Sequence, residues 1–411
     1  MNPLNMFIKT KITVLKKKES KIIFRVENGK GVLREKYCFK DEQSISSLIF
    51  KDIPLTKFYG DNYLCPTCTK LVAAGYGLNK TQTEELDEFF EKINEPFINI
   101  ETSFELLKPV LGLLKSGHYM ISDEELIPTD GDERFFWSIN NTPKENPASA
   151  LFINYDMAEE KPIYLLPTQP PSVYDPQRVE HYKNITSTRA LAYQLNGTLL
   201  CALLDGHHKA VAAAVKGEKV RTLVISAPSF YTPQGGDKKP SINFHELSLE
   251  VDEDINKIIG KECNNRGSAA EYDKYKEMKD ISFDSYNWPQ ELLKTAKNYP
   301  PVEVMVSIER AGDISDKRLD NILSAAEQPD KETLFEITAA LYATKNPRFA
   351  QFAIFICSDI NHVLLWRDIF PLLVTIKTKE VEDFFIDFTV NDEGTRPEIS
   401  ELVNEYFKNK N

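Results

Sequence analysis

The feature that most constrains the fold is an abrupt change of pattern at residues 205–209, Asp-Gly-His-His-Lys. Before it, residues 190–195 (ALAYQL) and 198–204 (TLLCALL) are short apolar runs joined by Asn-Gly, which is typical of two strands in a hairpin. After it, the alanine-rich run 207–216 is typical of a helix, and Gly217 separates that run from the strand-like VRTLVIS. The order strand, strand, helix, strand predicts an α/β core.

A strand that delivers Asp205-Gly206 into the first turn of a helix creates a binding site for an anion. The backbone N–H groups of that turn have no partner within the helix, and the helix dipole places positive charge there. Gly206 has no side chain, so a phosphate can approach the backbone closely. Lys209 adds a positive charge, and His207 and His208 are expected to donate to phosphate oxygens or to titrate near neutral pH. Asp205 can accept a proton or hold Mg²⁺.

These residue types support two interpretations that the sequence leaves open. In the first, Asp205 and His207 are catalytic, and Gly206, His208 and Lys209 bind phosphate. In the second, Asp205 only caps the helix and the two histidines fill a surface turn. The partners of these five residues in the folded chain bear directly on the choice.

The span of residues 161–226 resembles the ParB/sulfiredoxin-type fold. That fold has a strand ending in a proline-containing loop, a helix, a strand pair, and a glycine-led motif that opens a helix. The corresponding runs here are IYLLP, RVEHYKNI and YQLNGTLLCALL, and DGHHK is similar to the family's DGHxR-type motif, with Lys209 in place of arginine. The resemblance implies a ParB-like core that binds the phosphates of ATP, ADP or CTP, with Mg²⁺ as a further cofactor.

The resemblance also points to the loop and helix that precede the motif. Gln169 lies in this loop, in a region where the Asp-Gly-His kinases of the superfamily rely on a glutamate. Arg178 and Lys183 follow on the helix, where such charges more often form a solvated helix face, but the two residues could also complete a phosphate clamp. His181, on the same helix, is predicted to be a surface residue. Gln169 and Arg178 therefore join the candidate phosphate-binding residues.

Members of the superfamily differ in chemistry, and the sequence disfavours part of it. Sulfiredoxins place an attacking cysteine where this chain has His207. Chromosome-partition ParB proteins carry a double-arginine motif and a helix-turn-helix domain, and neither is evident here. Two functions are predicted. One is a Mg²⁺- and nucleotide-dependent phosphotransferase or hydrolase. The other is a non-catalytic module that binds a nucleotide, a phosphorylated small molecule, or a protein partner through its C-terminal helices.

Changes of pattern along the chain predict an α+β multidomain protein. We expect an N-terminal α+β domain at residues 1–157, the ParB/sulfiredoxin-like α/β core at 158–310, and an all-helical domain at 311–411. The C-terminal runs of helical pattern favour either HEAT-like stacked hairpins or a compact bundle.

Three local patterns bear on how the core is built. Glu27-Asn28-Gly29 is a hairpin turn signal, which predicts that the strands on either side pair with each other. The run RFFWSI, beginning at Arg134, is predicted to be a strand. Residues 227–242 have the composition of a surface loop.

Cys65-Pro66-Thr67-Cys68 has the spacing of half a zinc site. No second CxxC occurs in the sequence, so a four-ligand site would need Cys38 and His118 or a carboxylate. A redox pair and two unbonded thiols are the alternatives. Cys65 and Cys68 are therefore the candidate zinc ligands.

Charge and composition narrow the setting of the protein. Lys and Arg number 50 against 62 Asp and Glu, and the net charge of −12 argues against a nucleic-acid-binding protein. Six cysteines in 411 residues do not make a disulfide scaffold. The N-terminus lacks the apolar region of a secretory signal, and no run of about 18 apolar residues occurs. We expect a soluble cytoplasmic protein with no membrane segment.

Overall fold

The computed structural model divides into two compact units, residues 1–302 and 303–411. It describes residues 9–40, 43–51, 53–61, 72–75, 92–129, 134–138, 161–185, 187–195, 198–231, 239–252, 299–391 and 396–408. Within these residues the first unit contains a mixed seven-stranded sheet, and most helices lie in the second. The prediction of a mixed α and β chain with a helical C-terminal part is confirmed.

Fourteen strands are found in the described part of the first unit. In chain order they are β1 (Lys11–Lys18), β2 (Lys21–Glu27), β3 (Leu33–Lys40), β4 (Gln43–Phe50), β5 (Ile53–Asp61), β6 (Val72–Gly75), β7 (Gly117–Leu126), β8 (Tyr164–Leu166), β9 (Ala190–Gln194), β10 (Leu200–Asp205), β11 (Val220–Ser226), β12 (Ser229–Tyr231), β13 (Ser241–Phe244) and β14 (Leu247–Glu250).

The seven-stranded sheet has the spatial order β1-β2-β7-β11-β9-β10-β8. The pairs β11–β9 and β10–β8 are parallel, and the other four pairs are antiparallel. Ile127, directly after β7, also pairs in parallel with Tyr164 of β8. The part of the sheet from β7 to β8 therefore curls back on itself.

Burial along the strands explains their positions. Every residue of β9 is buried, and so are the first five of β10, as expected for inner strands that are covered on both faces. β1 is lysine-rich and mostly exposed, which suits an edge strand because charged side chains oppose pairing with another chain.

In the described part of the first unit, three helices accompany this sheet, and two of them begin at a side-chain cap. They are α1 (Ile100–Leu111), α2 (Pro176–Lys183) and α3 (His207–Val215). Asn99 accepts a hydrogen bond from the amide of Thr102 at 2.8 Å at the start of α1, and Asp175 accepts from the amide of Gln177 at 2.8 Å at the start of α2. α3 follows Gly206 and packs against α2, β9 and β11.

Among the described residues, the first unit also contains two smaller sheets. One has the order β3-β4-β5-β6 and the other β12-β13-β14. Ile242, Phe244 and Leu247 of the three-stranded sheet form a buried cluster with Ile23 and Met120 of the large sheet. This apolar cluster explains why residues 241–250 are held against β2 and β7.

Glu27-Asn28-Gly29 does not form the predicted hairpin. β2 pairs with β1 and β7, whereas β3 belongs to the four-stranded sheet. The glycine is needed for another reason, since a Cβ at Gly29 would lie 2.3 Å from the carbonyl oxygen of Leu114. The segment therefore carries the chain from one sheet to the next.

Two further local predictions were wrong. Part of the predicted loop 227–242 forms β12 and the start of β13, which are short strands stabilised by pairing with each other and with β14. In the predicted strand RFFWSI, Phe136–Ser138 forms one turn of 3₁₀-helix. Its aromatic side chains are buried and serve packing, so their apolar character did not reflect strand pairing.

The division into units differs from the predicted domain boundaries. β1, β2 and β7 precede the boundary predicted at residue 157, and β8 to β11 follow it, yet all seven strands form one sheet. The second unit begins at Glu303, earlier than the predicted residue 311, because the helix α4 (Glu303–Ala311) packs against the helices that follow.

The remaining helices of the second unit share one hydrophobic core. They are α5 (Asp316–Leu323), α6 (Lys331–Ala343), α7 (Phe349–Ser358), α8 (Val363–Leu373), α9 (Lys379–Asn391) and α10 (Pro397–Lys408). The core includes Leu341, Phe352, Phe370, Leu373 and Phe385, each fully buried. A continuous core of this kind is formed both by a compact bundle and by stacked helical hairpins.

None of the helices that the structure describes is both long and apolar enough to cross a membrane by itself. Phe349–Ser358 and Ile360–Leu373 meet the length and hydropathy criteria only as a pair, and that pair is bent by 97°. Ile356 and Ile369, one from each segment, belong to the shared core.

Two leucines of α8 test the contribution of this core. Leu373→Ala should lower the free energy of unfolding by about 2–5 kcal/mol, because it leaves a cavity among fully buried side chains. Leu364→Ala removes the same atoms from a residue that is 71% exposed and should change it by less than about 0.5 kcal/mol. Urea unfolding of both variants measures the difference, and equal effects would contradict this packing of α8.

Candidate functional site

The turn between β10 and α3 requires a glycine for two reasons. Gly206 has a φ of +105°, a conformation that residues with a side chain rarely adopt. A Cβ at this position would also lie 2.7 Å from the Cβ of Ala190 and 3.3 Å from Cδ of Lys209. Backbone conformation and packing against β9 are therefore sufficient to explain Gly206.

Asp205 and Lys209 neutralise each other within the motif. Lys209 Nζ lies 3.0 Å from Asp205 Oδ2 and donates to the carbonyl of Arg189 at 2.8 Å. The side chains are 7% exposed for Lys209 and 19% for Asp205. A buried charge requires a partner of this kind, so a role for Asp205 as Mg²⁺ ligand would first require breaking the pair.

The carbonyl that holds Lys209 belongs to a residue with its own ion pair. Arg189 donates from Nε and Nη2 to the two carboxylate oxygens of Asp123, at 2.6 and 2.9 Å. Its guanidinium carbon lies 3.9 Å from the centre of the Phe97 ring. The position of Lys209 is thus fixed by a chain of paired charges that reaches β7.

His207 is a buried hydrogen-bond acceptor. Its Nε2 accepts from the amide of Thr168 at 3.0 Å and from the amide of Gln169 at 3.1 Å, so the proton of the neutral ring lies on Nδ1. The pKa of His207 is lowered to about 3, because burial penalises the charged ring and His208 and Arg178 add nearby positive charge. A ring in this state fastens the loop after β8 to α3, and this geometry gives no support to general acid–base catalysis by His207.

Trp137 encloses the same histidine. Its ring is nearly parallel to that of His207, with centroids 6.0 Å apart, and its Nε1 donates to the carbonyl of Gln169 at 2.9 Å. Thr168 extends the contact, since its hydroxyl donates to the carbonyl of Leu203 in β10. The amides of Thr168 and Gln169 and the carbonyl of Gln169 are therefore all hydrogen-bonded.

His208 lies between a donor and an acceptor of the next turn of the loop. Its Nε2 is 3.1 Å from the amide nitrogen of Asp175 and 3.0 Å from the carbonyl oxygen of Val173. The pKa of His208 is lowered, first by burial and then by the positive charge of Arg178. Nε2 accepts from Asp175 when the proton of the neutral ring lies on Nδ1, and it donates to Val173 when Nε2 itself carries a proton.

Gln169 and Arg178 are the predicted site residues whose side chains remain available. Gln169 is half-buried, and its described hydrogen bonds are made by its backbone. Arg178 is exposed on α2, and its guanidinium contacts no acid in the described residues, although its charge reaches both histidines. Lys183 differs, since its Nζ lies 2.9 Å from Glu180.

The structure thus brings together residues 205–209, Gln169 and Arg178, as the sequence predicted, but it engages most of their polar groups internally. Sequence reasoning missed Trp137, Thr168 and Arg189. The aromatic run at Trp137 was a sequence signal for packing against the site, but it was interpreted as a strand. Thr168 and Arg189 act through backbone and ion-pair contacts that have no local sequence pattern.

The predicted zinc ligands Cys65 and Cys68 lie outside the described residues, so the zinc site stays a prediction. His118 is buried in β7 and Cys38 belongs to β3, in a different sheet. Searching the described ranges finds no group of three or more His, Cys, Asp or Glu side chains that could hold a metal ion.

Comparisons of the chain with protein-family models, with curated proteins and with solved structures find no match. The likeness to the ParB/sulfiredoxin-type fold therefore remains a prediction from sequence. The contacts of residues 205–209 and their neighbours are the basis for any functional proposal.

Glycines 206 and 217 form a matched pair for testing the turn. Gly206→Ala should lower the free energy of unfolding by about 2–5 kcal/mol, from backbone strain plus overlap with Ala190. Gly217 has a φ of +70° but open space around it, so Gly217→Ala should cost about 1–2 kcal/mol from strain alone. Urea unfolding measures both, and a smaller loss for Gly206→Ala would contradict the tight contact.

The lowered pKa of His207 predicts a dependence of stability on pH. The unfolded chain binds a proton near pH 6.5, whereas folded His207 does so only near pH 3, so acid favours unfolding. This contribution is complete above pH 6.5, and falls by roughly 1.4 kcal/mol per pH unit between about 6.5 and 3.

His207→Gln keeps an acceptor for the two amides but cannot titrate, so this part of the slope should disappear. His181→Gln, on the exposed face of α2, is the control and should keep the wild-type slope. Urea unfolding across this pH range measures all three proteins. If His207→Gln retained the full slope, a neutral buried His207 would be excluded.

Proposed function

We propose that the chain binds the phosphate of a nucleotide, or of another phosphorylated small molecule, at the junction of β10 and α3. The observation that carries the proposal is Arg178. Its exposed guanidinium has no acidic partner in the described part of the chain, yet its charge reaches His207 and His208 at the start of α3. Guanidinium groups recognise phosphate through paired hydrogen bonds.

Two further features support an anion at this place. The first-turn amides of α3, at His207 to Lys209, add the positive end of a helix dipole. Gln169 lies in the adjoining loop with a half-buried side-chain amide that can donate to a phosphate oxygen. The resemblance to the ParB/sulfiredoxin-type fold is consistent with ATP, ADP or CTP as the ligand.

The contacts within the motif favour binding without catalysis. His207 is buried, which lowers its pKa and keeps it neutral, and its Nε2 is engaged by two amides. Asp205 is paired with Lys209. Mg²⁺-dependent phosphotransfer or nucleotide hydrolysis is the alternative, and it requires Asp205 to release Lys209 and bind the metal. A protein-interaction role for the C-terminal helices stays a prediction.

Thermal unfolding with ATP, ADP, CTP and GTP, each with and without Mg²⁺, tests the proposal. A ligand that binds the folded protein raises its melting temperature in a concentration-dependent way. Arg178→Gln should weaken binding by about 10- to 100-fold, the scale for losing hydrogen bonds between charged groups. Arg367→Gln is the matched control, because this arginine is 83% exposed in the second unit and should leave affinity unchanged.

Equal binding by wild type and Arg178→Gln would place the ligand elsewhere. Stabilisation by none of these nucleotides, nor by inorganic phosphate or sulfate, would contradict the proposed function. Asp205→Asn separates the two chemistries, because it should abolish any Mg²⁺ dependence if Asp205 is the metal ligand. Mg²⁺ dependence that survives this change would exclude Asp205 from that role.

A further inference from the structure

The position of His208 links the proposed anion site to proton binding. Its side chain is almost fully buried, at 5% exposure of the residue, and lies directly after His207 in the first turn of α3. The ring reaches back to the loop that leads into α2, where Asp175 caps the helix that carries Arg178. The His208 ring thus connects the first turn of α3 with the segment that leads into α2, and these two elements supply the amides and the arginine of the proposed site.

A single nitrogen of His208 faces two groups of opposite character. Nε2 is 3.1 Å from the Asp175 amide, a donor, and 3.0 Å from the Val173 carbonyl, an acceptor. It accepts from the amide when it carries no proton and donates to the carbonyl when it does. Both partners lie within hydrogen-bond distance, so the change needs little movement of the ring.

The charges around His208 determine which form the free protein adopts. From α2 it faces Arg178, from the cap of α2 Asp175, from β10 Asp205, and from α3 the neutral His207. Burial and Arg178 disfavour the proton, while the Val173 carbonyl and the two carboxylates favour it less strongly, so its pKa is lowered. His208 is therefore mainly neutral at neutral pH.

The positive charge of Arg178 is the main electrostatic cause of the lowered pKa of His208, and an anion beside Arg178 opposes it. Its negative charge offsets the guanidinium and favours the imidazolium, because opposite charges a few ångströms apart stabilise each other. We propose that anion binding at the junction is coupled to proton uptake by His208, which leaves Nε2 protonated and donating to the carbonyl of Val173. This inference rests on the proposed function and adds the regulation of the same site by pH.

The coupling has a fixed direction. If the bound anion favours protonated His208, protonated His208 must favour the anion by the same factor. Affinity should therefore rise as pH falls through the range in which His208 titrates. A rise of about one unit in the pKa of His208 corresponds to about tenfold tighter binding at the acidic end.

NMR titration of the histidine Cε1–H signals tests the coupling on the wild-type protein. Sulfate is the probe, because it keeps its double negative charge where phosphate itself titrates, and sodium chloride at equal ionic strength is the control solution. His208→Gln identifies the signal. The His208 pKa should rise by about one unit in saturating sulfate. His181 lies one turn from Arg178 on α2, but solvent screens its exposed ring, so its pKa should shift less than that of His208.

Arg178→Gln provides a second measurement. Without this guanidinium the pKa of His208 in the sulfate-free protein should rise, because the positive neighbour is gone. The further rise caused by sulfate should then become smaller.

The outcomes separate the two proposals. Sulfate binding at the junction with an unchanged His208 pKa would overturn the coupling and leave the binding function intact. Failure of sulfate and of every nucleotide to bind at any pH would overturn both. A fall of the His208 pKa in sulfate would contradict the expected direction of the coupling.

Discussion

The neutral imidazole of His207 is the contact on which the candidate site depends. It joins the loop after β8 to the first turn of α3, two segments that are separated along the chain by α2, β9 and β10. A buried amide without an acceptor costs about 1–3 kcal/mol, and this ring serves two of them. Burial and the nearby positive charge of His208 and Arg178 keep the ring uncharged. A motif whose composition indicates acid–base chemistry can therefore have the structural role of holding a loop against a helix.

Next to His207, the charged residues of the site are paired with one another. Asp205 neutralises Lys209, and Lys209 also donates a hydrogen bond to the carbonyl of Arg189. Arg189 is itself held by Asp123 of β7. Buried ion pairs contribute little to stability by themselves, but leaving one partner alone is costly, so such a network favours one arrangement of strands and helices. Arg178 lies outside this network and has no acidic partner among the described residues, so its charge is available to a ligand.

Much of the local structure followed from the sequence. Residues 207–215 form the helix that the alanine-rich run predicted, and the helices beyond residue 312 begin near their predicted starts, as at Asp330, which accepts from the amide of Thr333 at 2.7 Å. The chain brings Gln169 and Arg178 near the motif, as expected.

The pairing of distant strands was not predictable from local patterns. β2 lies beside β7 and β7 beside β11, and neither pairing leaves a sequence signal at the strand itself. The role of His207 was missed for a similar reason, since its acceptor function depends on amides some forty positions earlier. Trp137 was misplaced because an aromatic run fits a strand or a packed turn equally well.

The order of strands in the large sheet has a consequence during synthesis on the ribosome. The hairpin of β1 and β2 emerges first, but its neighbour β7 follows only after residues 28–116, and the parallel partners β9 and β11 later still. Closing such long loops has a high entropic cost before any contact stabilises it. One edge of β2 and its apolar side chains therefore stay uncovered until β7 has been synthesised. During this period the nascent chain most needs a chaperone.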